Sequence, residues 1–175
     1  MTGEGPTGPG PTPDLLAPGL KLLFCGYNPS LASGREGDHY AHPANRFWRV
    51  LWAAGLTDRL YRPEEGGELL ELGLGFTNLV SRPTRRADEL TREEARAGAL
   101  SLRATLERFR PQAVAYTGIG VYRLFRATSR VSWGAQREPA VPGVADVVVP
   151  SPSGLNRMRF EELVEHYRGL RPFLA

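Results

Sequence analysis

Residue types that can do chemistry concentrate in two loops of this 175-residue chain, at residues 26–45 and 150–157. The first loop places Asn28 directly before Pro29, and the second alternates serine with proline. The amide oxygen of Asn28 can accept a hydrogen bond from water, but an amide is a poor general base. The same residue also fits an ordinary Asx turn. This residue type therefore favours positioning over strong acid–base catalysis.

Several common active-site motifs are absent from the sequence. It contains no Walker motif, no HExxH and no GxSxG. Residues 117–122 contain a GxG but lack the third glycine of a dinucleotide fingerprint, so a tight strand-to-helix turn explains them better. A nucleotide-binding protein that uses this segment is the least favoured of the possible functions.

A metal site is not expected either. His39 and His42 lie three residues apart beside Asp38, but Cys25 and His166 are the only other cysteine or histidine residues in the sequence. A single cysteine also excludes an internal disulfide framework. Because Cys25 lies in an apolar run, we expect it to be a small core residue.

Arginine dominates the basic residues, since 21 of the 22 are arginine and Lys21 is the only lysine. Schiff-base chemistry would therefore have to use Lys21 or the N-terminus. Residues 1–80 carry 6 basic and 9 acidic side chains, a net charge of −3, whereas residues 81–175 carry 16 and 10, a net charge of +6. The basic second half permits a polyanionic partner.

The composition predicts a disordered Gly/Pro-rich tail over residues 1–18 and a single domain over residues 19–175. Apolar runs predict strands at 20–25, 75–80, 112–116 and 144–149. Helices are expected from Pro43 to Gly55 and at 64–72, 92–109, 118–125 and 159–168, with a polar loop at 32–42. This alternation predicts an α/β fold, a three-layer α/β/α sandwich with a mostly parallel central sheet.

The two unusual loops both follow predicted strands. Ligands of open α/β sheets bind outside the carboxyl ends of the strands, so we expect the two loops to share one cleft. No apolar run is as long as a membrane span and no signal peptide opens the chain, which favours a soluble, cytoplasmic protein.

Four segments resemble one family in order and spacing. They are Gly26-Tyr27-Asn28-Pro29-Ser30-Leu31, Ala41-His42-Pro43-Ala44-Asn45-Arg46-Phe47-Trp48, the region of Thr77-Asn78-Leu79-Val80 with Arg82-Pro83-Thr84, and Pro152-Ser153-Gly154-Leu155-Asn156-Arg157. Over residues 20–170 the chain resembles the mismatch-specific uracil/thymine DNA glycosylases of the uracil-DNA glycosylase superfamily. The resemblance implies the fold of that superfamily and an enzyme that flips a base out of the duplex and cleaves its N-glycosidic bond.

The resemblance also implies roles for particular residues. Asn28 would orient the attacking water, and Tyr40 would stack on the flipped base. Leu155 would act as a wedge that fills the gap left in the duplex. The base pocket would include Gly26, Tyr27, Asn78 and Ser151, and DNA contacts would come from Ser153, Gly154, Asn156 and Arg157. His42 and Asn45 are interpreted as scaffold, and Arg46 as a loop-holding or phosphate-binding residue.

Three positions depart from the family pattern: Tyr27 replaces Ile, Ser30 replaces Gly, and Ser151 stands where the family has Asn. The first motif also lacks the Asp found in sister families. The nearest carboxylates in the sequence are Asp38 and Asp88. We hypothesise that Asp88 is a supplementary catalytic carboxylate, although an ion pair with Arg85 or a helix cap is the simpler explanation for such an aspartate.

The expected function is therefore a monofunctional DNA glycosylase that removes uracil, and in some contexts thymine or related damaged bases, opposite guanine in double-stranded DNA. Such an enzyme would initiate base-excision repair, with water as the nucleophile and no metal or cofactor. Lys21 lies at the start of the first predicted strand, at the end opposite the expected cleft, which disfavours a lyase step. We expect a monomer, associated with the nucleoid if the source is bacterial. The alternative is a DNA-binding module that recognises mismatches or abasic sites without cleaving them.

Overall fold

The computed structural model describes residues 10–175, which form a central sheet covered by helices on both faces. The strands of this part of the chain are β1 (Leu22–Gly26), β2 (Leu74–Asn78), β3 (Ala113–Thr117), β4 (Gly134–Ala135) and β5 (Ala145–Val149). Their order across the sheet is β2-β1-β3-β5-β4. All neighbouring strands pair in parallel except β4, which runs antiparallel to β5.

The helices are α1 (Leu31–Glu36), α2 (Phe47–Ala53), α3 (Arg92–Phe109), α4 (Ile119–Arg126) and α5 (Phe160–Arg168). Three 3₁₀ segments cover Pro63–Leu72, Ala87–Glu89 and Arg171–Leu174. Helix α3 begins at the predicted residue because Thr91 and Glu94 form a capping box. The predicted helix at 64–72 is present as the first of the 3₁₀ segments.

Alternating side chains of β1 separate the core into two clusters, because successive residues of a strand point to opposite faces. Leu22 and Phe24 pack with residues of α2 and α5 on one face of the sheet. Leu23 and Cys25 pack with residues of α3 and α4 on the other face. The three-layer α/β/α sandwich with a mostly parallel sheet is thus confirmed, and Cys25 is a buried core residue as predicted.

Two expectations about the first loop were wrong. The polar loop predicted at 32–42 contains α1, which begins where the Ser30 hydroxyl accepts a hydrogen bond from the Ser33 amide and ends at Gly37 with a φ of 75°. The following helix does not begin near Pro43 but at Phe47, whose amide donates to the Asn45 side chain. The short strand β4 was not predicted, because two residues carry no periodic signal.

The expectation of a disordered tail does not hold for residues 10–18, while residues 1–9 lie outside the described part of the chain. Leu15 forms a two-bond antiparallel bridge with Phe76 on β2. Asp14 accepts a hydrogen bond from the Thr77 hydroxyl at 2.9 Å. Glycine and proline prevent a regular element here, and hydrogen bonds to β2 and to residues 34 and 39 hold the segment.

The carboxyl ends of the parallel strands meet at one edge of the sheet. Gly26 pairs with Asn78, and Thr117 pairs with Val149, so both unusual loops leave the sheet at this edge. Lys21 precedes β1 and therefore lies at the opposite edge, where its ammonium group donates to the Leu174 carbonyl. Within residues 10–175, no helix combines the length and the apolar character needed to cross a membrane.

Candidate functional site

A cleft of about 380 Å³ opens at the carboxyl edge of the sheet. Residues from both loops line it together with the ends of β1, β2 and β3. The predicted residues that the structure brings together here are Gly26, Tyr27, Asn28, Tyr40, Asn78, Ser151, Ser153, Leu155 and Asn156. The expectation that the two loops share one cleft is confirmed.

The side chain of Asn28 is held in one orientation by two hydrogen bonds. Its Nδ2 donates to the Arg82 carbonyl at 2.9 Å and to the Thr84 hydroxyl at 2.8 Å. Because these acceptors fix the amide nitrogen, the amide oxygen has to point elsewhere, and none of residues 10–175 donates to it. Asn28 therefore does not form the Asx turn, and it keeps a free acceptor in a residue that lines the cleft.

Thr84 is the residue here that sequence reasoning missed. It is buried, it accepts from Asn28, and its own hydroxyl donates to the Arg86 carbonyl at 2.7 Å. Its amide also donates to the Pro29 carbonyl, which ties its loop to the first motif. Residues 82–84 formed part of the family resemblance, but nothing in the sequence showed that Thr84 would contact Asn28.

Tyr40 is fixed in place by its neighbours. Its ring stacks on Phe47 with centroids 3.8 Å apart, and its backbone adopts a left-handed φ of 52°. Since the Thr117 hydroxyl donates to the Cys25 carbonyl, it accepts from the Tyr40 hydroxyl at 3.1 Å. Burial raises the pKa of the Tyr40 phenol, so it stays neutral. Tyr40 is therefore a rigid aromatic wall of the cleft.

Gly26 allows two polar side chains to meet over the end of β1. A Cβ at this position would lie 2.6 Å from the Asn78 Oδ1 and 3.3 Å from the Tyr40 hydroxyl. The Asn78 amide lines the cleft and makes no side-chain hydrogen bond to the described residues. It therefore offers both a donor and an acceptor to a bound molecule. The half-buried Tyr27 lines the same cleft, and burial raises the pKa of its phenol.

The second loop presents an exposed apolar side chain on a braced backbone. Leu155 is 78% exposed at the tip of the loop. The Asn156 side chain donates to the Ser151 carbonyl at 2.8 Å and accepts from the Met158 amide at 3.1 Å. The side chain of Asn156 thus braces the loop, and the contact with DNA predicted for this residue stays a prediction.

The Arg46 side chain fixes the backbone of this loop. Its guanidinium donates to the carbonyls of Met158, Asn156 and Ser153 at 2.6, 2.9 and 3.2 Å. Of the two roles that the sequence allows for this residue, the structure shows the loop-holding one. Gly154 is required at the crossing of the two loops, because a Cβ there would lie 2.7 Å from that of Ala44.

The scaffold interpretation of the intervening block is confirmed. The His42 ring accepts a hydrogen bond from the Ala44 amide, and Asn45 caps α2.

In the described part of the chain, no group of three His, Cys, Asp or Glu residues is arranged to hold a metal ion. The GxG segment forms the predicted turn from β3 into α4, with a φ of 142° at Gly118.

Charged residues surround the cleft unevenly. Arg85 and Arg86 line it, whereas Arg82 is bound to Glu94 at 2.6 Å and lowers the pKa of that carboxyl to about 2. Asp88 is exposed and pairs with Arg86 at 3.0 Å rather than with Arg85. Neither Asp88 nor Asp38 lines the cleft, and no other carboxylate among residues 10–175 does so.

Comparisons with known proteins agree with this geometry. A solution NMR structure from Methanosarcina acetivorans, provisionally described as a uracil DNA glycosylase, superposes with a TM-score of 0.56 at 22% sequence identity. The alignment covers 92% of this chain and 97% of that one, which shows a shared fold. The cleft and the sheet thus define an α/β protein with its site at the strand carboxyl ends.

The family follows from a second comparison. The model of the Uracil DNA glycosylase superfamily matches residues 13–174, nearly the whole chain. The protein belongs to this superfamily and is a DNA glycosylase, a hydrolase that acts on DNA.

Proposed function

We propose that this protein is a monofunctional glycosylase that flips uracil out of mismatches with guanine in double-stranded DNA and removes it by hydrolysis. Thymine and related damaged bases opposite guanine are secondary substrates. The observation that carries the proposal is the orientation of Asn28, a residue that lines the cleft: its amide nitrogen is occupied by Arg82 and Thr84, which leaves its oxygen without a partner among residues 10–175. We further propose that it acts as a monomer in the cytoplasm.

In the proposed reaction, the Asn28 oxygen accepts a hydrogen bond from a water molecule and positions it against C1′ of the deoxyribose. The water oxygen bonds to C1′, and the bond from C1′ to the base nitrogen breaks with its electron pair leaving on the base. The proton that water loses passes through solvent to the departing base. An amide cannot retain this proton, so Asn28 acts by positioning.

The base is held by groups that are already fixed in the free protein. Phe47 covers one face of Tyr40, which leaves the opposite face for stacking on the extruded base. The Asn78 amide can pair with the polar edge of a pyrimidine. Ser151 has a shorter side chain than the asparagine of the family, so its hydroxyl reaches less far toward the base. Backbone N–H groups of the 26–40 loop stabilise the leaving base anion in the manner of an oxyanion hole.

Contacts with the duplex come from the second loop and the basic rim. Leu155 enters the stack and occupies the space of the extruded nucleotide. Arg157 is exposed on the same loop, and Arg85 lies across the cleft, where phosphates of the two strands would pass. The only lysine lies at the far edge of the sheet, which is the structural support for hydrolysis without a lyase step.

Asp88 remains proposed as a supplementary catalytic carboxylate. Ala87, the residue before Asp88, lines the cleft. Arg86, which pairs with Asp88, can instead bind a DNA phosphate. The exposed ion pair is a weak restraint, so DNA binding can release the carboxylate. If Asp88→Ala cleaves a U:G duplex at the full single-turnover rate, this role is wrong.

Labelled duplexes that contain U:G, U:A or T:G, and a single strand with uracil, test the function when incubated with excess protein and then treated with alkali. We expect strand breaks from U:G first and no effect of EDTA. Absence of breaks above the control in every substrate would refute the proposal.

A second candidate is a binding module that recognises mismatches or abasic sites without cleavage. It is favoured by one observation, the lack of a carboxylate among the described residues that line the cleft. Tight and selective mismatch binding with no base release would select it.

A further inference from the structure

The N-terminal segment 10–15 forms a strap along one side of the cleft. The Gly10 amide donates to the Gly34 carbonyl at 3.2 Å on α1, and the His39 ring donates to the Pro13 carbonyl at 2.8 Å. Beyond these points, Leu15 bridges to Phe76 on β2. The strap is thus attached to both the first loop and the edge strand, and it closes the space between them.

Thr12 is the strap residue that reaches the cleft. It is only 6% exposed, and its hydroxyl has no hydrogen-bond partner among the described residues. A buried polar group without a partner is unfavourable, and an apolar residue of the same shape would avoid the cost. Among the described residues, Thr12 therefore contributes the volume of its side chain to the cleft and no hydrogen bond from its hydroxyl.

Thr12 also separates two cavities. It lines both the cleft and a neighbouring cavity of about 370 Å³, and Asn78 is the other residue that the two cavities share. The neighbouring cavity is also lined by polar residues, among them Asp14, Ser101 and Thr105. Thr12 and Asn78 form the partition between them.

We propose that Thr12 is a specificity-determining residue that limits the size of the base accepted by the cleft. This inference rests on the proposed function, because it assumes that the cleft holds an extruded base. Removing the Thr12 side chain joins the two cavities and leaves room for a base enlarged on the side that faces the partition. Thr12 lies immediately before the range 13–174 that the superfamily model matches, whereas Asn78 lies within it.

The neighbouring cavity also determines which enlarged bases are accepted. The carboxylate of Asp14 lies on its wall and accepts a hydrogen bond from Thr77. A neutral substituent that can donate a hydrogen bond fits this lining, whereas an anionic one is repelled. A wider pocket therefore favours 5-hydroxymethyluracil over 5-carboxyuracil.

The experiment compares wild type with Thr12→Gly, Thr12→Val and Pro11→Gly on duplexes that carry uracil, 5-hydroxymethyluracil or 3,N4-ethenocytosine opposite guanine. The two enlarged bases carry their extra atoms on different edges. Thr12→Val keeps the size of the side chain without its hydroxyl. Pro11→Gly loosens the same strap at an exposed residue that lines neither cavity.

We expect Thr12→Gly to increase cleavage of at least one enlarged base relative to uracil by about tenfold, the usual effect of a small change in pocket volume. Thr12→Val and Pro11→Gly should keep the wild-type ratios. An equal change for all three bases in Thr12→Gly, or the same ratio change in Pro11→Gly, would overturn the inference.

A binding measurement keeps the inference separate from the proposed function. The same bases on a 2′-fluoro sugar resist cleavage, so the dissociation constants of these duplexes report pocket size alone. If the wild-type protein cleaves no substrate, and Thr12→Gly nevertheless shifts the ratio of affinities, the proposed function is wrong and the size-limiting role of Thr12 is supported. If wild type cleaves uracil but Thr12→Gly leaves the affinity ratio unchanged, the partition is wrong and the proposed function stands.

Discussion

The two loops that form the cleft use their polar groups in opposite ways. In residues 26–45, hydrogen bonds from outside the loop fix the functional side chains themselves, as Thr84 and Arg82 fix Asn28. In residues 150–157, hydrogen bonds from Arg46 and Asn156 fix the backbone and leave Leu155 78% exposed. The first loop is preorganised to hold a small group, and the second is preorganised to insert an apolar one.

This difference indicates that the first loop serves the cleavage step, whereas the second loop serves extrusion of the base from the duplex. Single exposed apolar side chains are common on protein surfaces, so what distinguishes Leu155 is that it lines the cleft from a braced loop. A change in the first loop should therefore slow cleavage in any DNA context. A change in the second loop should matter only where a base has to leave a duplex.

The largest effect is expected for Asn28→Ala. Loss of the water-positioning oxygen should lower the single-turnover rate by at least about 100-fold on both duplex and single-stranded uracil substrates. The dissociation constant for a U:G duplex should stay within a factor of about 3, because binding energy comes mainly from phosphates. A rate within a few-fold of wild type would remove Asn28 from the mechanism.

Leu155→Ala should lower cleavage of the U:G duplex by about tenfold and leave the single-stranded substrate unaffected, since only the duplex needs a wedge. The matched control is Leu100→Ala on α3, because Leu100 is also a highly exposed leucine, at 74%. Equal losses on duplex and single strand would show that Leu155 supports the fold of the cleft instead.

Thr84→Val should lower the cleavage rate about fivefold, because the Asn28 amide loses one of the two acceptors that orient it. Thr84→Ser keeps the hydroxyl and should restore the rate. In an Asn28→Ala background, Thr84→Val should have no further effect on rate. Additive losses of rate in the double variant would show that Thr84 does not act through Asn28.

The smallest effect is expected for Arg157→Ala. Loss of one phosphate contact should weaken binding about equally for all sequences and reduce the slope of log affinity against log salt by about 1. Arg108→Ala, at the end of α3 near the opposite edge of the sheet, should leave the slope unchanged. An unchanged slope for Arg157→Ala would place this residue outside the DNA footprint.

Sequence alone predicted the elements whose signals are local. Helix α3 is recognisable from its capping box, and the parallel strands from their continuous apolar runs. Helix α1 was missed although Ser30 and Gly37 cap it locally, because it has only six residues and contains Gly34. A Cβ on Gly34 would lie 2.6 Å from Pro83 and 2.8 Å from the Gly10 carbonyl, so the glycine is needed for packing. Residues 10–18, whose composition alone indicated disorder, are held by their contacts with β2 and the first loop.

The candidate site divides in the same way. The positions of Asn28, Tyr40 and Leu155 at one cleft were anticipated from motif resemblance together with the rule for strand carboxyl ends. Thr84 and Thr12 were not, because their contacts join segments far apart in sequence. The sequence could not show that the amide of Asn156 would brace its own loop, and its contact with DNA stays a prediction.

The most direct test of the central claim is product analysis after a single turnover on one labelled U:G duplex, before any alkali is added. We predict free uracil and an intact strand with one abasic site from the wild-type protein, and neither from Asn28→Ala. Borohydride should trap no protein on the DNA. A duplex that retains its uracil at protein excess, or a strand already broken or trapped on the protein, would contradict the account.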